Sequence, residues 1–353
     1  MSKTGKIILC LSLLPQYFFI KMIAKYPEFV ETYYSKGIFL VISKFLNTAF
    51  KWIPFSVGDL LYTALIVYVL HWTIKNLKRL RTHPKAWSLD VLSFVSLLYF
   101  IFHLFWGYNY YRVPLHTTLN LNPSYSTEQL KSVTHRLVLK TNKLHVAITN
   151  DSLLKSTLPY EFVELTEISQ AGYSQLERVY PHFKHNGQNS KKSLFSIPLS
   201  YMGFSGYMNL LTLEAQINAA MPLNSMPTTI AHEQAHQLGY AAENEANFIA
   251  FLASIYNKNP YFNYAGYKFA LRYCLQELSK RDPKAYESML CSINPGVLED
   301  YKETFEFWSA YNNPMEPLFK MFYSHFLKAN NQIKGIESYS YVVALLVDYL
   351  EKS

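Results

Sequence analysis

Two histidines and a glutamate in the middle of the chain have the spacing of a catalytic metal site. They lie in the run His232-Glu233-Gln234-Ala235-His236. Residues four apart share one face of an α-helix, so both imidazoles can bind one ion with Glu233 beside it. A catalytic zinc site takes three protein ligands and leaves a fourth position for water. The motif therefore predicts a Zn²⁺ centre in which His232 and His236 are ligands and Glu233 is the general base.

The third ligand is expected from the acidic residues that follow the motif. Glu243 and Glu245 both come soon after Gly239. If residues 243–247 are helical, Glu243 and Asn247 share a face and Glu245 points elsewhere. We therefore predict Glu243 as the third metal ligand, with Glu245 as the alternative. Asn247 either orients a histidine ligand from behind or is an ordinary amide on the helix surface.

The elements that must position these residues are mostly helices. Thr228 or Thr229 is expected to cap the motif helix, and Gly239 to end it. Before it, residues 194–208 contain a proline and two glycines among β-favouring and aromatic residues, which predicts strands with tight turns. Residues 205–218 then provide either an edge strand along the cleft or a core strand.

The remaining pattern is largely helical. Ser126 and Gln129 form a capping box that predicts a helix to about residue 146, and residues 160–180 have a second helical pattern. A loop is predicted at Asn186-Gly187, and helical patterns return beyond Asn257. The predicted fold class is α+β and mainly helical.

Three apolar segments lie in the first third of the chain, at about residues 7–24, 57–76 and 89–108. About 20 apolar residues are needed to cross a bilayer, and the second and third segments meet this length. The first, interrupted by Pro15, is a span, an interfacial helix or an uncleaved signal anchor, and we favour a span. Residues 1–110 are thus predicted to be a membrane anchor with two to three transmembrane helices.

Three features refine this anchor. Residues 36–53 alternate lysines with apolar clusters at helical spacing, which predicts an interfacial helix ended by Pro54. Ser56 with Asp59 predicts a cap for the next helix. Residues 75–85 form a predicted loop with several cations and no acid.

Positive loops remain cytoplasmic, so residues 111–353 are expected to be extracytoplasmic.

Composition excludes other classes of function. The chain has 353 residues and a net charge of +8, but many of its cations flank the apolar segments and no nucleic-acid module is evident. The three cysteines form no CxxC pair, so a cysteine zinc site is not expected. Cys274 and Cys291 form either a disulfide or two free buried thiols.

Blocks along nearly the whole chain resemble one family, the bacterial membrane proteins classed as domain of unknown function 3810, whose members look like gluzincin-type metallopeptidases. The matching blocks are 54–62 PFSVGDLLY, 106–112 WGYNYYR, 199–207 LSYMGFSGY, 214–218 EAQIN, 232–248 HEQAHQLGYAAENEANF and 326–328 FLK. Gluzincins often place their third ligand in an ExxxD pattern, and here Asn247 replaces the aspartate. One departure is Asn209-Leu210-Leu211-Thr212, where the family pattern has Asn-Pro-Phe-Thr.

The resemblance implies a multi-pass protein of the bacterial inner membrane, with residues 111–353 forming a zincin-like metallopeptidase domain in the periplasm. The expected partners are the lipid bilayer and a protein or peptide substrate. The expected function is a metallohydrolase, a peptidase in which Glu233 activates zinc-bound water.

Other readings stay open. The main alternative is a zinc-binding membrane sensor or scaffold without turnover. A transporter component with His71 and His103 as polar groups is disfavoured by the large second domain. Candidates for stabilising an oxyanion are Tyr207, Tyr240, Tyr267 and His325.

Overall fold

The structure, a computed structural model, describes residues 1–184, 189–332 and 341–352. These residues form two compact units: Met1–Val113 with Asn209–Glu214, and Pro114–Met208 with Ala215–Ser353. The sequence-based division between residues 110 and 111 did not anticipate that a segment far along the chain belongs to the first unit. The predicted loop at Asn186-Gly187 lies outside the described residues.

The first unit contains three helices that are long and apolar enough to cross a membrane, α1, α4 and α5. Its helices are α1 (Lys3–Ile23), α2 (Pro27–Phe29), a π-helix (Val30–Ile38), α3 (Phe39–Phe50), α4 (Val57–Thr82), α5 (Pro84–Phe105) and a 3₁₀ helix (Gly107–Tyr111). The length and apolar composition of α1, α4 and α5 indicate a membrane protein.

Two predicted boundaries in this unit were wrong. Residues 75–85 are not a loop, because α4 continues to Thr82 and α5 begins at Pro84, so that only His83 separates them. Lysine and arginine are good helix formers, and proline is tolerated at the first helical position. The helix predicted at 36–53 starts earlier, as the π-helix from Val30, and ends at Phe50.

Helices α1 and α5 run parallel, as their polar contacts show. Near their starts, Lys6 Nζ lies 2.5 Å from Asp90 Oδ1. Further along, Ser12 Oγ lies 3.2 Å from Ser96 Oγ, to which Gln16 Nε2 also donates at 3.0 Å. Such hydrogen bonds hold apolar helices together where little hydrophobic driving force exists between them. Helix α4 contacts α5 and is joined to it by His83 alone, so it runs the opposite way. This alternation is what three consecutive candidate spans require.

A buried ion pair fixes the segments that follow α1 and α5. Arg112 donates from Nε and Nη2 to the two carboxylate oxygens of Glu31, at 2.8 and 2.7 Å. Burial works to raise the pKa of Glu31, but the hydrogen bonds and charges of Arg112 and Lys36 outweigh it and lower that pKa. The bidentate geometry joins the π-helix to the chain after the 3₁₀ helix.

The amino terminus of α4 is capped twice. Ser56 Oγ accepts from the Asp59 amide at 2.9 Å, which confirms the predicted cap. Glu214 is fully buried and accepts from the Gly58 amide at 2.6 Å and the Val57 amide at 3.4 Å. Its carboxylate satisfies helix amides that would otherwise have no partner, and its charge suits this end of the helix.

The segment Asn209–Glu214, called here the hairpin tip, is closely fitted to α4. The Tyr62 hydroxyl accepts from the Leu210 amide at 3.0 Å, and Thr212 Oγ1 donates to Glu214 at 3.0 Å. A Cβ on Gly58 would collide with the Asn209 side chain. The close packing of the hairpin tip against α4 therefore requires a glycine at the second position of that helix.

The second unit is mainly helical with one small sheet. Its helices are α6 (Leu115–Thr118), α7 (Thr127–Thr149), α8 (Phe162–Val179), a 3₁₀ helix (Pro181–Phe183), α9 (Ser196–Met202), a 3₁₀ helix (Leu223–Ser225), α10 (Met226–Gln237), α11 (Glu243–Ile255), α12 (Pro260–Arg281), α13 (Pro283–Cys291), α14 (Pro295–Ala310), α15 (Glu316–Ala329) and α16 (Tyr341–Lys352). Its strands are β1 (Ser190–Lys192), β2 (Gly206–Met208) and β3 (Ala215–Ile217).

The core of this unit surrounds α11. Residues 245–254 of α11 are all buried, and they lie among α8, α10, α12 and α16. Apolar residues from these helices and from α7 form one cluster that includes Phe248 and Phe251. A helix buried on every side has little freedom to shift. The core therefore holds the start of α11 firmly against α10.

The sheet has the order β1-β3-β2, with β3 parallel to β1 and antiparallel to β2. Residues 194–208 were predicted as strands, but only Gly206–Met208 is one, and Ser196–Met202 is helix α9. The Ser196 hydroxyl accepts from the Ala219 amide at 2.9 Å, a contact distant in sequence that favours the helical turn. Tertiary contacts thus override the local β preference.

The cysteines are free thiols, with Cys274 buried and Cys291 exposed. The disulfide considered for this pair is not formed, and the alternative of two buried thiols is correct for Cys274 only.

Candidate metal centre

Helix α10 presents the motif from one side of the sheet. It packs on β3 and β2, and it begins at Met226 with Pro227 in its first turn. The predicted threonine caps were wrong, because Thr228 and Thr229 lie inside the helix and their hydroxyls donate to the Ser225 carbonyl. After Gln237 the chain turns at Gly239, whose φ of +82° suits a glycine at a helix end.

Three predicted ligands converge at the meeting point of α10 and α11. One ligand atom from each of His232, His236 and Glu243 lies within 4.8 Å of the others. Glu243 Oε2 is 3.2 Å from His232 Nε2 and 3.9 Å from His236 Nε2. The helical spacing of the histidines and the position of Glu243 in the first turn of α11 account for this convergence.

The ring of His236 is held by a backbone contact. Its Nδ1 lies 2.7 Å from the Tyr240 carbonyl oxygen, so Nδ1 carries the proton and Nε2 faces Glu243. Burial lowers the pKa of His236 to about 4, and His232 acts in the same direction. His236 is therefore neutral at physiological pH, the form in which imidazole binds a metal.

His232 and Glu243 interact directly, with His232 Nε2 3.2 Å from Glu243 Oε2. Burial works to lower the pKa of His232, but the Glu243 hydrogen bond and the charges of Glu233 and Glu243 raise it. Burial works to raise the pKa of Glu243, but the two histidines and Tyr323 lower it to about 2. Each side chain thus shifts the pKa of the other, at the place where the three ligand atoms meet.

Glu233 lies beside this cluster and is buried, with 3% of its surface exposed. Burial, aided by the charge of Glu243 and opposed by that of His232, raises the pKa of Glu233 to about 8. Its Oε2 has no hydrogen-bond partner among the described residues. A Cβ on Gly206 would lie 2.8 Å from Glu233 Oε1, so strand β2 passes directly over this carboxyl group.

The other two predicted residues have different surroundings. Glu245 accepts from the Leu115 amide at 2.6 Å and does not belong to the cluster. Asn247 is buried beside His232 and raises the pKa of that histidine. Neither His232 Nδ1 nor Asn247 Nδ2 makes a well-aligned hydrogen bond to a described residue.

Tyr323 is a site residue that the sequence reasoning missed. Its hydroxyl donates to Glu243 Oε1 at 2.5 Å, the carboxylate oxygen opposite the one that faces the histidines. Tyr323 lies on α15, 80 positions from Glu243. The only signal in the sequence is its place just before the block 326–328.

The four oxyanion candidates are dispersed among the described residues. The Tyr240 ring is buried against Phe183, and the Tyr267 ring packs against Phe251. His325 is exposed on α15. Tyr207 lies on β2, next to Gly206, and so belongs to the strand that passes over Glu233.

Comparison with known proteins gives one match. The family model described as "Protein of unknown function (DUF3810)" matches residues 34–347. No curated protein and no solved structure matches the chain. The matched residues include every element of the cluster, α10, α11 and α15, whereas α1 lies before them. The chain therefore belongs to the DUF3810 family.

Proposed function

We propose that this chain is a membrane-anchored, zinc-dependent metallohydrolase that acts as a peptidase with a zincin-like centre. The observation that supports this most strongly is the convergence of His232, His236 and Glu243 beside the buried carboxyl of Glu233. Two imidazoles and one carboxylate are the protein ligands of a known class of catalytic zinc sites.

The residues fit the ion. Two donor atoms about 2.1 Å from a tetrahedral zinc ion lie roughly 3.4 Å apart. The two histidine nitrogens lie 3.2 and 3.9 Å from Glu243 Oε2, close to that spacing. The three donors are two imidazole nitrogens and one carboxylate oxygen. The low pKa of His236 keeps its imidazole neutral, the form that binds a metal ion. The positive charge of a zinc ion held by these groups would lower the pKa of Glu233 and favour its basic form.

When bound, zinc would polarise a substrate carbonyl and make a water molecule easier to deprotonate. Glu233 is the residue placed to accept that proton, because its Oε2 has no other described partner. The same carboxyl can then donate the proton to the leaving amine as the peptide bond breaks.

A peptide substrate is favoured by strand β2. The Asn218 amide donates to the Ser205 carbonyl at 3.0 Å, and Tyr207 pairs with Gln216. In an antiparallel ladder, the backbone groups of the intervening Gly206 therefore point away from β3. An extended peptide could add to this edge, with its carbonyl near Glu233.

The distribution of charge supports one orientation in the membrane. Residues 75–85, which form the end of α4 and the start of α5, carry several cations and no acid. Such a turn favours the cytoplasmic side, which would place the end of α5 and the chain after it outside, in the periplasm of a bacterium with two membranes.

The test uses the full-length protein in detergent. We expect about one zinc ion per chain by elemental analysis and cleavage of a peptide library, both lost after chelation and restored by Zn²⁺. Zinc binding without cleavage would instead identify a sensor or scaffold. Failure to bind zinc at micromolar concentration would contradict the proposal.

Replacing Tyr323 with Phe is expected to weaken zinc binding by about 10-fold or more, because outer partners orient metal ligands. The measurement is the zinc dissociation constant, by competition with a chelating dye. Tyr256→Phe is the matched control, since its hydroxyl pairs with Tyr349 at 3.0 Å and it is not part of the cluster. Equal affinities in both variants would contradict a positioning role for Tyr323.

A further inference from the structure

Helix α15 exposes a continuous apolar stripe. Met315, Leu318, Phe322 and Phe326 follow one another at intervals of three and four residues, and all are exposed, Phe322 by 61%. This spacing puts them on one side of the helix. In a helix that packs by its apolar side, such residues would be buried.

The opposite side of α15 is the one that packs. Leu327 is buried, and the Tyr323 ring meets the Phe204 ring edge to face with centroids 5.1 Å apart. The chain before α15 is also fixed, because Asn313 Nδ2 donates to the Tyr201 carbonyl at 2.7 Å. The orientation of the exposed stripe is therefore set by contacts within the second unit.

Helix α9, which contacts α15, has an exposed apolar side of its own. Leu194 precedes α9, Ile197 and Tyr201 lie on it, and all three are exposed. We call the exposed residues of both helices the apolar face: Leu194, Ile197, Tyr201, Met315, Leu318, Met321, Phe322 and Phe326. Water-soluble surfaces rarely carry so many large apolar side chains without a binding partner.

Charge and chain connectivity identify the partner. The exposed cation Lys328 lies beside Met321 at the edge of this surface, as cations do on helices that lie in an anionic lipid surface. Lys320, by contrast, pairs with Glu316 on the same helix. Residues 203–208 alone separate α9 from the hairpin tip, which caps the amino terminus of α4. The end of a membrane-spanning helix lies at the bilayer surface.

We propose that the apolar face of α9 and α15 inserts into the interfacial layer of a lipid bilayer. Seating in lipid does not require that the chain bind zinc or cleave a substrate. If the proposed function also holds, the same helix α15 positions Glu243 through Tyr323, so cleavage would take place beside the membrane surface. The substrates would then be membrane-associated polypeptides.

The test uses full-length protein in vesicles of phosphatidylethanolamine and phosphatidylglycerol. A single label is attached at Phe322→Cys, or at Met321→Cys as a second position, in a chain with Cys10→Ser and Cys291→Ser and the buried Cys274 retained. The label is an environment-sensitive fluorophore. Leu139→Cys, exposed on α7, is the aqueous control, and Val67→Cys, exposed on α4, is the lipid control.

Nitroxide-bearing lipids should quench the label at position 322 by about half or more, as at position 67, since an interfacial helix buries its apolar side about 5–10 Å deep. Iodide in the water should quench it far less than at position 139. Equal iodide quenching at 322 and 139 would overturn the proposal. Protection from iodide without lipid quenching would also overturn it, and would identify a protein, such as a second copy, as the occupant.

Discussion

Replacing Glu233 with Gln is expected to lower kcat for peptide cleavage by about 10²- to 10⁴-fold, the contribution of a general acid–base group. Glutamine has nearly the same shape, but its amide cannot accept the proton of the attacking water. The ligand atoms of His232, His236 and Glu243 remain in place, so the zinc content should not change. The measurement pairs kcat with elemental analysis on the same preparation.

Glu245→Gln is the matched control for this experiment. Glu245 undergoes the same chemical change on a neighbouring element and is also buried, but it faces the Leu115 amide. We expect activity and zinc content close to those of the unchanged protein. Full activity in Glu233→Gln would refute its role as the base. Zinc loss in Glu245→Gln, with zinc retained in Glu243→Gln, would reverse the choice of third ligand.

Replacing Glu214 with Gln is expected to destabilise the first unit by about 2–3 kcal/mol, because hydrogen bonds to a buried charged group are strong and leaving a buried donor unpaired is costly. Both oxygens of Glu214 accept from backbone amides of α4, and one also accepts from Thr212. The amide of glutamine would have to direct an NH₂ group at one of these donors. The effect should appear as a lower Tm in detergent.

Hydrogen exchange gives the second measurement for this variant. Faster exchange of the amides at 209–214 and at the start of α4 is expected, with α12 unchanged. Glu299→Gln serves as the control, since its side chain is half exposed and pairs with the exposed Lys302 at 3.3 Å. Such surface changes alter stability by about 0.5 kcal/mol or less. Equal Tm values for the two variants would show that the Glu214 contacts contribute little.

Features that depend on neighbours in the sequence were predictable. The positions of His232 and His236 follow from helical periodicity, and the capping box at Ser126 and Gln129 is present as predicted. The three apolar helices were recognised because crossing a bilayer requires a length that can be counted directly. In each case the deciding interaction lies within a few residues.

Features that depend on distant contacts were not predictable. Helix α9 was predicted as strand, since its local residues favour β structure and its stabilising contact is with Ala219. Tyr323 reaches Glu243 across 80 positions, and no spacing rule links them. The end of α4 and the start of α5 were predicted as a loop because this stretch contains a proline and several cations, and the sequence does not show how the two helices pack.

The hairpin tip also sets an order of events during synthesis. The Gly58 amide and its acceptor on Glu214 are separated by 156 positions. At about 5–20 residues per second, the ribosome needs roughly 8–30 s to reach Glu214 after Gly58 has been made. During this interval Ser56 is the one of the two caps described for α4 that is available. The first unit therefore lacks its last segment until residues 114–208 of the second unit have been translated.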